Sequence, residues 1–434
     1  MSHSVNRRQF LGAAAGTAAF GVLGAGKANA QPDSVRVGII GTGNRGTALL
    51  RILLKMDGVQ VPAICDIDTK VVERAVGLIS EAGQPAPKTY TRDEHHYKDL
   101  CTRDDLDAVI VATPWQWHAP MAVDAMKAGK YAGVEVPAAI TVDECWQLVD
   151  TSEETGVPCM MLENWSFRRD NLAVLNMVRE GLFGEIMHTQ GCYGHDCRHW
   201  FFSSDGSNRW PGGFMAKRNC DQYPTHGEGP ILSWMDINCG DAFDYVTSTA
   251  TAQRGIHAWF KENLGPDHPK AQEDWPQGDM VHTIVRTKQG KSIAIVGDMQ
   301  LPRPYDNRWL LQGTGGIYSH EHDAVFIAGR SPKDHEWEPF PPYIDEFDHV
   351  WWRTMGEKAM AAGHGGTDYI ELKLFLDAVR HKTQPPIDVY DSATMSSIVG
   401  LSEASIAKGS APVDCPDFTR GKWQTRKPAF GLQA

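Results

Sequence analysis

Two short segments carry side chains suited to moving protons. In Tyr193-Gly194-His195-Asp196-Cys197-Arg198, at the end of a strand-like run, a two-residue period puts Tyr193 and His195 on one face and Asp196 and Arg198 on the other. A phenol beside an imidazole is a proton-transfer pair, although the same spacing also fits a sheet-end Tyr and His packed toward solvent. In Tyr223-Pro224-Thr225-His226-Gly227-Glu228-Gly229-Pro230 the histidine stands just before a helical pattern, Ile231 to Asn238. The positive end of that helix disfavours an imidazolium, so a neutral His226 there suits taking a proton from a hydroxyl. A structural histidine in a Gly/Pro turn is the alternative.

A third segment is built for a dinucleotide. The apolar run Val35 to Ile40 leads into Gly41-Thr42-Gly43-Asn44-Arg45-Gly46, a Leu-rich helical pattern follows from Thr47 to Met56, and a second run, Val59 to Cys65, ends on Asp66. Gly41 permits the tight turn, Gly43 lets backbone N–H groups approach a pyrophosphate, and Gly46 lets the helix pack close on the strand. Asp66 is placed to accept hydrogen bonds from the adenosine ribose, and a carboxylate there repels a 2′-phosphate, which favours NAD over NADP. Glu135, at the end of a later strand, is placed to orient the nicotinamide or its ribose, or else is a surface acid. His95-His96 and the pair His195/His199 lack a helical ligand spacing with a supporting acid, so no metal centre is expected.

These segments need a frame. Strand-like runs at Asp107 to Ala112, Tyr131 to Val134 and Val157 to Leu162 alternate with helical patterns at Val71 to Ser80, Ala119 to Ala128 and Val142 to Glu154. That alternation predicts a doubly wound parallel sheet, a Rossmann domain over residues 31–164. Trp115-Gln116-Trp117-His118 then follows a strand at the carboxyl edge, where such sheets bind ligands. Beyond Asn164 a helix is expected from Arg168 to Glu180, then strands at Glu185 to Tyr193, Met280 to Arg286, Ser292 to Asp298, Trp309 to Gly313 and Gly316 to Tyr318. Residues 165–434 therefore read as an α+β domain with an open, mostly antiparallel sheet, and the long stretches Trp200 to Gln222 and Gly329 to Gly363 as loops.

Residues 1–30 read as a leader. Arg7-Arg8 precedes the short apolar run Leu11 to Leu23, and Ala28-Asn29-Ala30 fits a cleavage site. The run is too short and Gly-rich to span a membrane. The expectation is export in the folded state to the periplasm or beyond, with no membrane attachment after cleavage. The net charge is −12, and losing Arg7, Arg8 and Lys27 without any acid takes it three lower, to −15. Such a chain is no partner for nucleic acid. Nine scattered cysteines without a CxxC pair argue against a disulfide framework. Outside the inner membrane free NAD is scarce, so a cofactor loaded before export must end each turnover as it began. A redox-neutral reaction follows.

The residues now on the page identify a resemblance. The sequence resembles the Gfo/Idh/MocA oxidoreductase superfamily, and within it glycoside hydrolase family 109, whose members use NAD to hydrolyse N-acetylgalactosaminides. The likeness runs through almost the whole chain. It is carried by Gly41 to Gly46, Trp115 to His118, Glu135-Val136, Leu162-Glu163-Asn164, Tyr193 to Asp196, Tyr223 to Gly227, Arg303-Pro304-Tyr305, Gly363-His364-Gly365-Gly366 with Asp368-Tyr369, and Asp388 to Asp391.

The resemblance implies NAD contacts at Asn44, Arg45, Asp66, Trp115, Gln116, Trp117, His118, Glu135, Val136 and Asn164. It implies sugar contacts at Tyr193, Tyr223, Pro224, Thr225, His226 and Tyr305. It also implies the chemistry: bound NAD takes hydride from C3, the ketone acidifies C2, the aglycone is eliminated from C1, water adds, and the hydride returns. His226 is assigned to the O3 proton and Tyr193 to the C2 proton. Sugar dehydrogenases of the superfamily carry a Glu-Lys-Pro lysine where this chain has Val136, which weakens the reading as an exported sugar oxidoreductase. Intact Tyr193 and His226 weaken that of a non-catalytic sugar- or cofactor-binding protein. One departure concerns the substrate: where the family has a sugar-contacting arginine after a tryptophan, this chain has Pro211 after Trp210, with Arg209 and Arg218 as possible substitutes. The sequence fixes no oligomeric state, and a homo-oligomer is compatible with it.

Overall fold

Short apolar segments bounded by turns build the first sheet: β1 Val35–Ile40, β2 Val59–Cys65, β3 Lys88–Tyr90, β4 Ala108–Val111, β5 Tyr131–Val134 and β6 Cys159–Met161. All pair in parallel in the order β3-β2-β1-β4-β5-β6. This is the doubly wound Rossmann order. Strand β4 is buried throughout, which is why it reads as an unbroken apolar run rather than an alternating one. Strand β3 lies in the polar stretch after the second helix and has one buried residue, Tyr90. An edge strand of that kind leaves no apolar pattern to find. This computed structural model describes residues 34–432, so the leader expected over residues 1–30 lies outside the described residues.

The glycine turn works as a steric fit. Gly41 has φ +88°, and a Cβ on it would lie 2.4 Å from the Ala112 carbonyl oxygen. A Cβ on Gly46 would lie 1.9 Å from the Gly41 carbonyl oxygen, so the helix Asn44–Leu53 seats on the turn only with glycine at that position. That helix starts three residues earlier than its leucine pattern suggested.

The second sheet has nine strands: β7 Ile186–Gly194, β8 Phe243–Ala250, β9 Met280–Thr287, β10 Ser292–Asp298, β11 Leu310–Gly313, β12 Gly316–Ser319, β13 Ala324–Ile327, β14 Glu338–Pro339 and β15 Val413–Asp414. Their order is β14-β13-β12-β11-β7-β10-β9-β8-β15, and only the pair β7 and β10 is parallel. Strand β8 escaped the pattern reading because its inner face is partly hydroxyl: Ser248 is buried and bonded to Thr283 at 2.7 Å. The stretches expected as loops contain helices, Arg198–Phe201 and Trp210–Met215 in the first, Pro341–Glu346 and Val350–Met360 in the second.

From Ser34 onward the chain packs as one compact unit. A single helix, Val389–Ala407, explains much of this. It is rich in Ser and Ala and is buried on most sides, so it has no apolar stripe. Its serine hydroxyls accept backbone N–H groups from separate segments: Ser392 from Met161, Ser396 from Ala138, Ser402 from Asp221 and Ser405 from Ser248. Both sheets are thereby hydrogen-bonded to the same rod.

The helix Thr225–Trp234 lies across β7 at unusually close range. A Cβ on Gly191 would be 2.1 Å from the Gly227 carbonyl oxygen, which also accepts the Trp309 indole N–H at 3.0 Å. Gly191 shares its strand face with Tyr193, so this contact sets how near His226 comes to Tyr193. Gly191→Ala should destabilise the fold by about 1–3 kcal/mol through overpacking and lower turnover on the order of a hundredfold by displacing the helix. Thermal melting and steady-state kinetics check it; unchanged turnover would show that the spacing is not critical.

Candidate active site

The carboxyl ends of β1, β2, β4 and β5 form one wall. The first turn of the helix Asn44–Leu53 has no side-chain cap, which leaves its backbone donors free for an anion. A Cβ on Gly43 would meet nothing within 4 Å, so space stands open in front of that turn. Asn44 is exposed beside it. Asp66 accepts from the Thr42 N–H at 2.7 Å and the Asp68 N–H at 3.0 Å, which fixes its carboxylate at the end of β2 over the glycine turn. These residues fit the phosphates and a ribose of a dinucleotide. The Trp115–Trp117 turn supplies Trp115, buried and packed on Tyr223, while Gln116 is exposed and Trp117 packs on His95 and Tyr97. His118 is wholly buried with its ring nitrogens 2.7 Å from the Thr113 and Pro137 carbonyl oxygens. It acts through position, stapling this turn to the Val136-Pro137 corner.

Arg45 and Glu135 face each other across this wall. The Arg45 guanidinium donates to Glu135 at 2.5 Å and forks onto Asp368 at 2.7 and 3.2 Å. Its side chain is therefore committed to carboxylates, and what it offers a phosphate is its backbone N–H. Asn164 donates to Asp368 at 2.7 Å. Val136 is buried, with no cation in its place.

The facing wall comes from β7 and the helix Thr225–Trp234. The Tyr193 hydroxyl lies 3.1 Å from His195 Nδ1, so the two residues on one strand face do meet. The Tyr193 ring centroid is 4.7 Å from Tyr223, 5.4 Å from His226 and 5.8 Å from Tyr305. His226 sits in the first turn of its helix, not ahead of it: the helix begins at Thr225, with Pro224 as its cap. Glycine and proline read as a loop there, but Gly227 and Gly229 are needed for close packing. A Cβ on Gly229 would be 2.6 Å from Ser166 Oγ. Thr225 and Pro224 are buried behind His226. Tyr305 is carried in by the Arg303-Pro304-Tyr305 segment, with Arg303 paired to Asp298 at 2.8 Å and lying where a Gly194 Cβ would be. The Trp165 indole N–H donates to the Tyr305 hydroxyl.

Residues that pattern alone did not single out complete the site. Glu163, fully buried, takes His226 Nδ1 at 2.7 and 3.0 Å. A carboxylate only accepts, so Nδ1 carries a proton, and in the neutral ring Nε2 is the nitrogen left with the lone pair. His364 Nδ1 lies 2.7 Å from Asp368 Oδ2, and its ring is 6.4 Å from Trp165. It belongs to a glycine loop in which residues 363 to 366 all have positive φ. The only sequence signal for either acid was its place in a motif quoted for the resemblance.

Electrostatics separate the imidazoles. Burial lowers the His195 pKa, with His199 adding to the effect, so His195 stays neutral. The hydrogen bond and charge of Asp368 raise that of His364 against its partial burial. Burial pushes the Tyr193 phenol well above its ordinary value, so its proton leaves only to a neighbour. Glu228 and Glu371, both fully buried without hydrogen-bond partners, are pushed up by desolvation and by nearby carboxylates and stay protonated.

Of the two arginines proposed to replace the one missing at Pro211, Arg218 is occupied by Glu403 and the Ile140 carbonyl. Arg209 is exposed and makes no ion pair among the described residues.

The family model for the oxidoreductase family with an NAD-binding Rossmann fold matches residues 35–163, and that for the glycosyl hydrolase 109 C-terminal domain matches residues 167–425. A glycosyl hydrolase family 109 protein of Stenotrophomonas maltophilia (strain K279a) is 41% identical over 449 residues, covering 99% of each chain. An alpha-N-acetylgalactosaminidase of Tannerella forsythia is 42% identical over 417 residues, 92% of this chain and 89% of its own. Among solved structures, an NAD binding oxidoreductase from Klebsiella pneumoniae matches with TM-score 0.67 at 17% identity, over 88% of this chain and 99% of that one. The myo-inositol dehydrogenase of Lactobacillus casei, in complex with NAD(H) and myo-inositol, matches with TM-score 0.60 at 17% identity, over 89% and 99%. At such identity the likeness is one of fold.

For turnover that uses a neutral His195 and a protonated His364, kcat/KM should be bell-shaped in pH. The acid limb falls below pH ~6.5, where His195 gains a proton, and the alkaline limb above it, where His364 loses one. Asp368→Asn removes the charge that holds the His364 proton and should move the alkaline limb down by about one unit. A pH profile with an unmoved alkaline limb would exclude His364 as its source.

Proposed function

The chain belongs to glycosyl hydrolase family 109, a glycosidase with an NAD-binding Rossmann domain, and from that premise we propose that it removes a terminal N-acetylhexosamine, α-linked N-acetylgalactosamine first, through transient oxidation at C3. What supports this most is the meeting of His226 and Tyr193 in one aromatic-lined space, ring centroids 5.4 Å apart, each backed by a partner that sets its proton, with His364 on Trp165, whose ring also meets His226. The substrate choice rests on the name of the Tannerella relative, at 42% identity. NAD held by the Gly41 to Gly46 turn, Asp66 and the Glu135-Val136 corner supplies a reversible hydride acceptor.

The chain's own residues handle the protons. His226 Nε2, with Nδ1 fixed by Glu163, takes the O3 proton and returns it at the end of the cycle. Tyr193 takes the C2 proton while its own passes to His195 Nδ1, so no phenolate has to exist in the buried site. The electron pair left at C2 forms the C1–C2 double bond, and the C1–O bond breaks. His364, protonated beside Asp368, gives its proton to the departing oxygen and, once neutral, receives one from the water that adds at C1, while C2 takes a proton back from Tyr193 as His195 returns one to the phenol. Tyr223 and Tyr305 flank the ring and orient it. A tightly held cofactor suits the folded export expected from the twin-arginine leader, and the buried Val136 in place of a relay lysine leaves the sugar oxidoreductase reading without its cation.

Assayed with α- and β-nitrophenyl N-acetylhexosaminides and no added NAD, the purified protein should release nitrophenol without accumulating NADH. In heavy water the product should carry deuterium at C2. Stoichiometric NADH with an oxidised sugar would overturn the mechanism, as would a product free of deuterium. His226→Ala should keep its NAD and lose turnover by at least about a hundredfold. His364→Ala should slow substrates with alkyl leaving groups far more than nitrophenyl ones, which leave without a proton; equal losses on both would remove the acid role.

A further inference from the structure

Two aromatic ladders run outward from the buried centre to the surface. On one, Tyr193 is 7% exposed, His195 is half-buried against it, and Trp200 meets the His195 ring edge at 4.7 Å with 46% of its surface exposed. On the other, Trp115 is 5% exposed, and Trp210 meets its edge at 4.9 Å while 42% exposed. The outer members belong to one structural unit. Strand-like pairing of Phe202 with Asn208 and the Arg209 N–H bond to the Phe201 carbonyl fold residues 200–210 back on themselves. A Cβ on Gly212 would be 2.5 Å from the Phe201 carbonyl oxygen, so the helix Trp210–Met215 is seated tightly against this turn. Tyr305, 41% exposed, lies 5.0 Å from His195 on the same rim.

We propose that this rim is a second sugar subsite, in which Trp200 and Trp210 hold the pyranose ring next to the one being cleaved, so that the substrate is a glycan of two or more rings. This deepens the glycosidase reading and rests on it. The rim's exposed large apolar side chains are all aromatic. Exposed aliphatic groups, such as Ile67, Met187, Ile284 and Met360, belong to other parts of the chain. Pyranose rings present axial C–H groups that pack on aromatic faces, and their hydroxyls need donors at the edge. Arg209 and His199, both exposed and adjacent to the two tryptophans in sequence, supply those donors. What favours a sugar over a docking protein is continuity with the site, since Trp200 abuts the His195 ring and Trp210 abuts Trp115, which packs on Tyr223. The outward rise in exposure gives the ring order: reactive sugar at Tyr193 and His226, next sugar at the tryptophans.

The test compares a disaccharide carrying N-acetylgalactosamine at its non-reducing end with the methyl glycoside of the same sugar. Trp200→Ala and Trp210→Ala should each lower kcat/KM for the disaccharide about tenfold, mostly through KM, and shift the disaccharide-to-methyl ratio by nearly as much. Trp200→Phe should restore much of the ratio. Wild-type holoenzyme with a sulfur-linked disaccharide should show saturation transfer to protons of the second ring. An unchanged ratio in both alanine variants, or a second ring without saturation transfer, would overturn the subsite. Loss of activity on neither substrate but a change in sedimentation would assign the rim to self-association and overturn it too. Failure of the wild-type protein to cleave either the disaccharide or the methyl glycoside would strike the glycosidase reading itself, which separates the two failures.

Discussion

One buried carboxylate ties the cofactor wall of the site to the end of the first sheet and to the glycine loop. Asp368 is almost wholly buried and receives Arg45 from the first turn of the Rossmann helix, Asn164 from the end of the first sheet and His364 from the glycine loop. Its pKa is held far below the usual carboxylate range by Arg45 and His364 despite the burial that opposes this. Breaking such a buried pair by removing one partner costs about 3–5 kcal/mol, because the other charge is left unpaired. The same contact does three things at once. It anchors the helix whose N-terminus faces the cofactor, fixes the edge of the sheet next to Glu163, and keeps a proton on His364. By linkage, the stabilisation from Asp368 is present above the unfolded carboxyl pKa near 3.9 and fades as pH falls toward its depressed folded value. That from His364 is full below about 6.5 and fades as pH rises through its raised one.

Much of the frame was legible in the sequence, because the frame is made of local pattern. Strands β1, β2, β4 and β5 are apolar runs, and the glycines of the first turn are demanded by contacts within a few residues or with the neighbouring strand. Tyr193 and His195 were readable as a pair because they are two residues apart on a strand. The acids that set the chemistry were not readable as partners, because the partners are distant in the chain: Glu163 and His226 are 63 residues apart, Asn164 and Asp368 are 204, and Arg45 and Asp368 are 323. No period or propensity connects residues at such separations. The start of the helix at Thr225 was misread for a related reason. Gly227 and Gly229 look like helix breakers in a one-dimensional pattern, yet here they are what lets a helix lie against Gly191 and Ser166.

The site assigns proton states by environment rather than by residue type. Three histidines meet three different conditions: His226 faces a buried carboxylate, His195 is desolvated beside a phenol, and His364 is half exposed beside a charge. Glu228 and Glu371 contribute by staying neutral. As carboxylates they would add two charges to a region that already holds Glu135, Glu163 and Asp368 around one guanidinium. Their burial, unfavourable for an ion, is tolerable for an acid that keeps its proton.

The serine ladder of the helix Val389–Ala407 has a bearing on solubility. Strand β6 ends the first sheet and pairs only with β5. Such a border strand has outward-pointing amides that another polypeptide could zip onto. The Leu162 N–H turns inward to Val134, and the outward Met161 N–H ends on the Ser392 hydroxyl. The helix thus acts as a hydrogen-bonding bumper along that border. A second molecule finds a side chain already seated where its own carbonyl would have to go, which guards the chain against strand-mediated aggregation.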